Sequence, residues 1–214
     1  MSSFLVAVRY DTSMPFTIDE AFLPAILTAL PMTDEQFADF CAEHPDLFFE
    51  TTAAGEIVVM PPTFSLTSIR NGEITSQLKR WAVENGRGVV GEFSGGFVLP
   101  NGARRSPDAS WIARDEIRKL DPVSLRGYWH LCPAFVIELR SHSDRLPVIR
   151  EKMREYMANG ACLGWMIDPE TRTVEVYRPD REPESLAGAE SIAGQGPVEG
   201  FVLDLRTVWD PLRG

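Results

Sequence analysis

The segment Ala134-Phe135-Val136-Ile137-Glu138-Leu139 constrains the fold more than any other part of this chain. It is a continuous apolar run of strand length with no alternation of polar and apolar positions. Such a strand is buried on both faces, so the sheet containing it must be covered on both sides. The run also carries one carboxylate. Burying a carboxylate alone is costly, so Glu138 requires a cation, a metal or several hydrogen-bond donors around it.

The rest of the pattern supplies the covering layers. Leu66, Ile69, Ile74, Gln77, Leu78 and Trp81 recur near a 3.6-residue period and predict a helix over 66–85 that stops at Asn85-Gly86. Gly72 costs that helix about 1 kcal/mol relative to Ala, which close approach of another backbone would explain. A second helix is predicted near 144–159, with Leu146, Ile149, Met153, Tyr156 and Met157 on its apolar face. Ser141 and Ser143-Asp144 are expected to cap it. Thr33 and Gln36 form a capping-box pattern opening a short helix, with Phe37, Phe40 and Cys41 on one face, that ends before Pro45.

The runs 47–51 and 56–60 flank Thr52-Ala53-Ala54-Gly55 as a hairpin, and Pro61-Pro62 stops the second strand. The runs 88–93 and 97–100 read as a second hairpin around Ser94-Gly95-Gly96, and Asn101-Gly102 marks a tight turn before the strand segment 106–113. A short helix and a loop occupy 115–130. The runs 163–167 and 173–179 form another hairpin, 180–200 reads as an exposed loop, and 201–205 as a last edge strand or helical turn. No repeat or linker separates two cores. The sum is an α+β fold, a central mixed β-sheet flanked by helices: residues 1–32 form an arm with one strand at most, and residues 33–210 a single domain.

Composition excludes other classes. Hydrophobic residues are 44% and charged residues 24% of the chain, an ordinary globular balance. No apolar run reaches the roughly 18–20 residues of a membrane span, and the first residues lack the basic start of a secretory signal. Cys41, Cys132 and Cys162 are widely spaced, which supports neither disulfides nor a zinc site and fits reduced thiols in a cytoplasmic protein. The net charge of −10 disfavours a basic surface laid along nucleic acid. That charge is uneven: residues 1–69 carry −9, residues 70–158 carry +4 and residues 159–214 carry −5.

The candidate chemistry lies in the cationic middle. Asp108 follows a proline at the start of a strand, Glu138 sits near the end of the buried strand, and Lys152 lies on the next helix. Two carboxylates from adjacent strands make the oxygen-rich cup that Mg²⁺ prefers. At about 100° per residue, Lys152 and Arg145 border the apolar arc of their helix, so Lys152 can curl toward Glu138 while Glu151 and Glu155 face solvent. A lysine there can position or deprotonate a water and neutralise developing negative charge. Glu56, Glu73 and Glu92 are candidates for a third acid. Arg140 reads equally as a structural partner of Glu138 or as a phosphate contact. Trp81, Trp111 and Trp165 are expected to fill core volume, and no histidine is assigned a role.

The chain resembles the Uma family of putative restriction endonucleases over roughly residues 33–210. The resemblance is carried by Asn71, Ile74, Leu78 and Trp81, by Ser94-Gly95-Gly96-Phe97 and Leu99-Pro100-Asn101-Gly102, and by Arg105-Ser106-Pro107-Asp108-Ala109-Ser110-Trp111. It continues through Cys132-Pro133, Phe135 to Ser141, Ser143-Asp144, Glu151-Lys152-Met153, Tyr156 and Asn159-Gly160-Ala161, to Leu163-Gly164-Trp165 and the segment 200–205. It implies a PD-(D/E)XK nuclease core with Asp108 as the first acid, Glu138 as the second, and cleavage of DNA that leaves a 5′-phosphate. It implies Mg²⁺, or Mn²⁺ in its place, held by Asp108, Glu138 and the Leu139 carbonyl. The superfamily usually places its lysine two residues after the second acid, where this chain has Arg140, and arginine cannot act as a base. The resemblance therefore assigns the lysine to Lys152.

Two further readings stand beside this one. A degenerate nuclease fold acting as a nucleic-acid-binding or assembly module fits the acidic charge and the Glu138-x-Arg140 pattern, and an RNA nuclease fits the same residues. An exposed sheet edge fits a homodimer. No separate DNA-reading motif is visible, and the overall charge predicts weak, salt-sensitive DNA binding.

Overall fold

The computed structural model describes residues 25–27, 31–60 and 63–213. The apolar run forms β8 (Phe135–Leu139), with every residue buried. It pairs antiparallel with β7 (Ala109–Ala113) and parallel with β9 (Leu163–Asp168). A parallel pair needs a crossover, and α4 (Leu146–Ala158) provides it. With β4 (Gly88–Glu92), β10 (Thr173–Tyr177) and β11 (Glu184–Ala187), these strands form a mixed sheet in the order β11-β10-β9-β8-β7-β4. Strand alternation divides β8 between two layers. Phe135, Ile137 and Leu139 pack with Ile74, Leu78 and Ala82 of α2 (Ser65–Asn85), while Val136 packs with Ile149, Met153 and Tyr156 of α4.

A second sheet lies beside the first in the order β1-β3-β2-β6-β5. It comprises β1 (Ala25–Leu27), β2 (Phe48–Thr51), β3 (Ile57–Met60), β5 (Phe97–Val98) and β6 (Arg104–Arg105). Its small core joins Phe49, Ile57 and Val59 to Phe37 and Phe40 of α1 (Asp34–Glu43), whose N-terminus carries the expected capping box between Thr33 and Gln36. The chain continues from β7 into a short α3 (Arg114–Ile117), and it ends in the paired strands β12 (Ser191–Ala193) and β13 (Val202–Asp204) and α5 (Arg206–Trp209). Among the described residues no helix is long and apolar enough to cross a membrane. Pro61, Pro62 and most of the arm lie outside the described residues.

Several expectations are corrected. The runs 88–93 and 97–100 are not a hairpin: β4 pairs with β7 and β5 with β6, in different sheets. Both runs are rich in β-formers, and their partners lie farther along the chain. Residues 180–200 contain β11 and β12 rather than one exposed loop, because Ile192 and Val198 are buried in the main core. Ser141, Ser143 and Asp144 bond within their own loop, and the N-cap position of α4 is Arg145 with no side-chain cap.

The buried face of α2 is Thr67, Asn71, Ile74, Leu78 and Ala82, whereas Leu66 and Ile69 are exposed. The helix is rotated so that polar Thr67 and Asn71 face inward, and Asn71 has a carboxylate partner beneath it. Among the described residues nothing lies within 4 Å of a Cβ added at Gly72, so none of their backbones explains it. Gly88 is the glycine that permits a close contact, since a Cβ there would lie 2.2 Å from the Trp111 ring.

Gly72→Ala is therefore expected to raise the stability of the chain by about 0.5–1 kcal/mol. Gly88→Ala is expected to lower it by about 1–3 kcal/mol, because the buried indole must move. Urea unfolding midpoints of the two variants check both signs.

Candidate active site

The antiparallel register of β7 and β8 sets Ala109 against Ile137, which brings Asp108 beside the end of β8. Asp108 Oδ2 accepts a hydrogen bond from the Leu139 N–H at 2.7 Å, and Oδ1 accepts from Asn71 Nδ2 at 2.8 Å. Glu138 projects from the opposite face of the strand from Leu139, toward α4. Its Oε1 accepts from the Tyr156 hydroxyl and from Lys152 Nζ, each at 2.9 Å. Of the residues singled out in the sequence, Glu138 and Lys152 are in contact, and Asp108 lies near enough for its charge to act on Glu138 and that of Lys152 to act on it.

Lys152 has a second carboxylate partner that sequence reading missed. Its Nζ lies 2.8 Å from Oε1 of Glu50, a residue of β2 in the other sheet. Alternation along β2 turns Phe49 into the small core and Glu50 out of its opposite face, toward α4. Glu50 is 2% exposed and also accepts from the Ser106 N–H at 2.8 Å and from Arg105 Nη1 at 3.1 Å. Arg105 in turn donates through Nε to Glu155, so Glu155 packs inward instead of facing solvent. The signal for Glu50 was present: a lone acid inside a short β-rich run, as at Glu138.

The three acids proposed as a third member lie elsewhere. Glu56 bonds to Thr52, Glu73 accepts from Gln77, and Glu92 accepts from Ser94. Arg140 is not a partner of Glu138 either; its Nη1 lies 2.8 Å from Asp168 and 3.5 Å from Glu170.

The electrostatics separate the acids. Burial, reinforced by the nearby charges of Asp108 and Glu50, pushes Glu138 up to about 8, against the pull of Lys152. Burial pushes Asp108 up to about 6 despite its bonds from Leu139 and Asn71. Burial also acts on Glu50, but Lys152, Arg105 and the Ser106 N–H outweigh it and hold Glu50 below the usual carboxylate range. For Lys152 burial opposes the charge, and Glu138 and Glu50 overcome it, so the ammonium stays above its ordinary value. Among the described residues no group of three or more His, Cys, Asp or Glu side chains forms a ready metal centre. The oxygens nearest to that role are Asp108, Glu138 and Asn71 Oδ1, which is buried with no hydrogen-bond partner among the described residues. This is a hard-oxygen donor set, the kind that suits Mg²⁺ rather than a soft metal.

Comparison with known proteins bears on the family and the fold. Residues 34–206 match the Uma2 family, described as "Putative restriction endonuclease". A crystal structure of a putative nuclease belonging to DUF820 from Anabaena variabilis is similar in fold at a TM-score of 0.67 and 18% sequence identity, covering 84% of this chain and 98% of that one. No curated protein matches the sequence.

Asp108 and Glu138 both hold protons more tightly in the folded chain than their ordinary values of 3.8 and 4.5 allow. Their contribution to stability is complete below those values and is lost as pH rises through about 6 and about 8. Glu50 has the opposite sign and acts only at lower pH, as it falls through its depressed folded value. In the presence of a chelator, the urea midpoint is therefore expected to fall between roughly pH 5 and 9, and Glu138→Gln to flatten the upper part of that fall. An identical pH slope in the variant and the wild type would contradict the assignment.

Proposed function

The chain belongs to the Uma2 family of putative restriction endonucleases, and on that footing we propose that it is a Mg²⁺-dependent endonuclease that hydrolyses DNA phosphodiester bonds. The observation that carries this reading is Lys152 Nζ at 2.9 Å from Glu138, beside Asp108 at the end of the buried strand. Asp108 and Glu138 would hold the cation, with Mn²⁺ as a substitute, and the Leu139 carbonyl and Asn71 Oδ1 are the further oxygens at hand. When bound, the cation supplies positive charge against the scissile phosphate.

The protein's own groups have distinct tasks in this mechanism. The raised ammonium of Lys152 makes it a donor and a cation rather than a base. It orients the attacking water and neutralises charge that develops on the phosphate. Glu50 and Arg105 are positioning residues that hold Lys152 in place. Leu139 and Asn71 each donate to one oxygen of Asp108 and so fix its orientation.

Cleavage of supercoiled plasmid and of labelled oligonucleotides with Mg²⁺ or Mn²⁺ tests the proposal. Asp108→Asn, Glu138→Gln and Lys152→Met are each expected to slow cleavage by about 10²-fold or more. Glu50→Gln acts through Lys152 and is expected to cost about tenfold. Equal rates for wild type and Glu138→Gln would overturn the assignment. Arg140, standing where the superfamily keeps its lysine, favours the second reading of a binding or assembly module. That reading requires DNA binding with no metal-dependent cleavage and no calorimetric uptake of Mg²⁺ or Mn²⁺.

A further inference from the structure

The carboxyl ends of the parallel strands β8 and β9 open onto a cleft of about 440 Å³. Phe64, Thr67 and Arg70 line it from the start of α2, and Arg140, His142 and Glu170 line it from the loops that follow the two strands. Crevices at this end of an open α/β sheet are where such folds take ligands. The cleft adjoins the candidate active site through its backbone. Thr67 lies one helical turn before Asn71, which holds one oxygen of Asp108, and Arg140 directly follows Leu139, which holds the other.

The cleft has the chemistry of an anion seat already filled by a carboxylate from the chain itself. Glu170 Oε1 lies 2.7 Å from His142 Nδ1, and its Oε2 lies 3.5 Å from Arg140 Nη1. The Glu170 side chain is about half exposed, on a loop, so it can swing aside. Arg140 stays in place without it, because Asp168 grips the same guanidinium at 2.8 Å. Arg140 Nε is buried with no hydrogen-bond partner among the described residues. The first turn of the 21-residue α2 has no side-chain cap, and its positive end faces the same space. At the rim, Phe64 is 60% exposed. A solvent-facing aromatic ring beside cations is the arrangement that stacks a nucleobase. In an intact duplex the base faces are covered by their neighbours, so only an unpaired nucleotide can use it.

We infer that this cleft seats an unpaired nucleotide of the DNA strand next to the scissile bond. Its phosphate replaces Glu170 on Arg140 and His142, and its base stacks on Phe64. The inference rests on the proposed nuclease reading and extends it to strand preference: single strands and frayed ends bind better than closed duplex.

Fluorescence anisotropy of the full chain with EDTA present tests this without any cleavage. The probes are a labelled 20-nucleotide single strand and the blunt duplex of the same sequence. The single strand is expected to bind at least about tenfold more tightly. Phe64→Ala is expected to weaken single-strand binding by roughly five- to hundredfold while leaving duplex binding within about twofold. Phe64→Trp should restore single-strand binding, and Glu170→Gln should tighten it severalfold. Phe64 and Glu170 are solvent-exposed, so unchanged thermal unfolding verifies that these variants fold. Duplex binding equal to or tighter than single-strand binding, or an unchanged single-strand affinity in Phe64→Ala, would overturn the inference. Phe64-dependent binding with no cleavage under Mg²⁺ would leave the seat for an unpaired nucleotide standing and sink the nuclease reading. Cleavage with no dependence on Phe64 would do the reverse.

Discussion

One ammonium group ties the molecule together. Lys152 Nζ stands between Glu50 of the smaller sheet and Glu138 of the larger one, at 2.8 and 2.9 Å, with all three side chains withdrawn from solvent. Removing one partner from such a buried ion cluster leaves an uncompensated charge, typically at a cost of about 3–5 kcal/mol. The relative placement of the two sheets and the geometry of the site are thus one constraint. Arg105 adds a second cation to the same joint, and its neighbour Arg104 turns to the other face of β6 to bind Asp34. Alternation along a two-residue strand sends one arginine to the site and the other to the smaller sheet's helix.

The main sheet explains why the acids sit where they do. A parallel step from β8 to β9 forces a crossover helix onto one face, and that helix brings Lys152 and Tyr156 over Glu138. The antiparallel step from β7 to β8 places Asp108 at the same end of the sheet, where the strand's last N–H can meet it. On the other face, α2 turns Thr67 and Asn71 inward at the expense of exposing Leu66 and Ile69. A helix packed on an apolar sheet would normally bury those two. Here the polar edge of the site decides the rotation.

What could be read from the chain followed from short-range physics. Glu138 stood out because a carboxylate interrupts a continuous apolar run, and Lys152 because its helical angle borders the buried face. Glu50 obeys the same rule as Glu138, but its strand is too short and too mixed to declare both faces buried. Glu73 and Glu92 looked equally suitable, and each satisfies itself within a few residues, through Gln77 and Ser94. The false hairpin of β4 and β5 has a similar origin. Two β-rich runs close in sequence are natural partners until a third strand competes, and β7 offers β4 a five-residue pairing that β5 cannot match.

The sequence by itself therefore determined the central strand and the two helices that cover it, and it marked Glu138 and Lys152 as candidates, since these depend on local periodicity and the cost of burying charge. Asp108 was marked by its place after a proline and by the family resemblance. Tertiary structure alone decided which third carboxylate meets Lys152, which way α2 turns, and that Arg140 faces Asp168 instead of Glu138. Those outcomes depend on which strands pair across long separations. Pairing energy is shared among many residues and written in no single one of them.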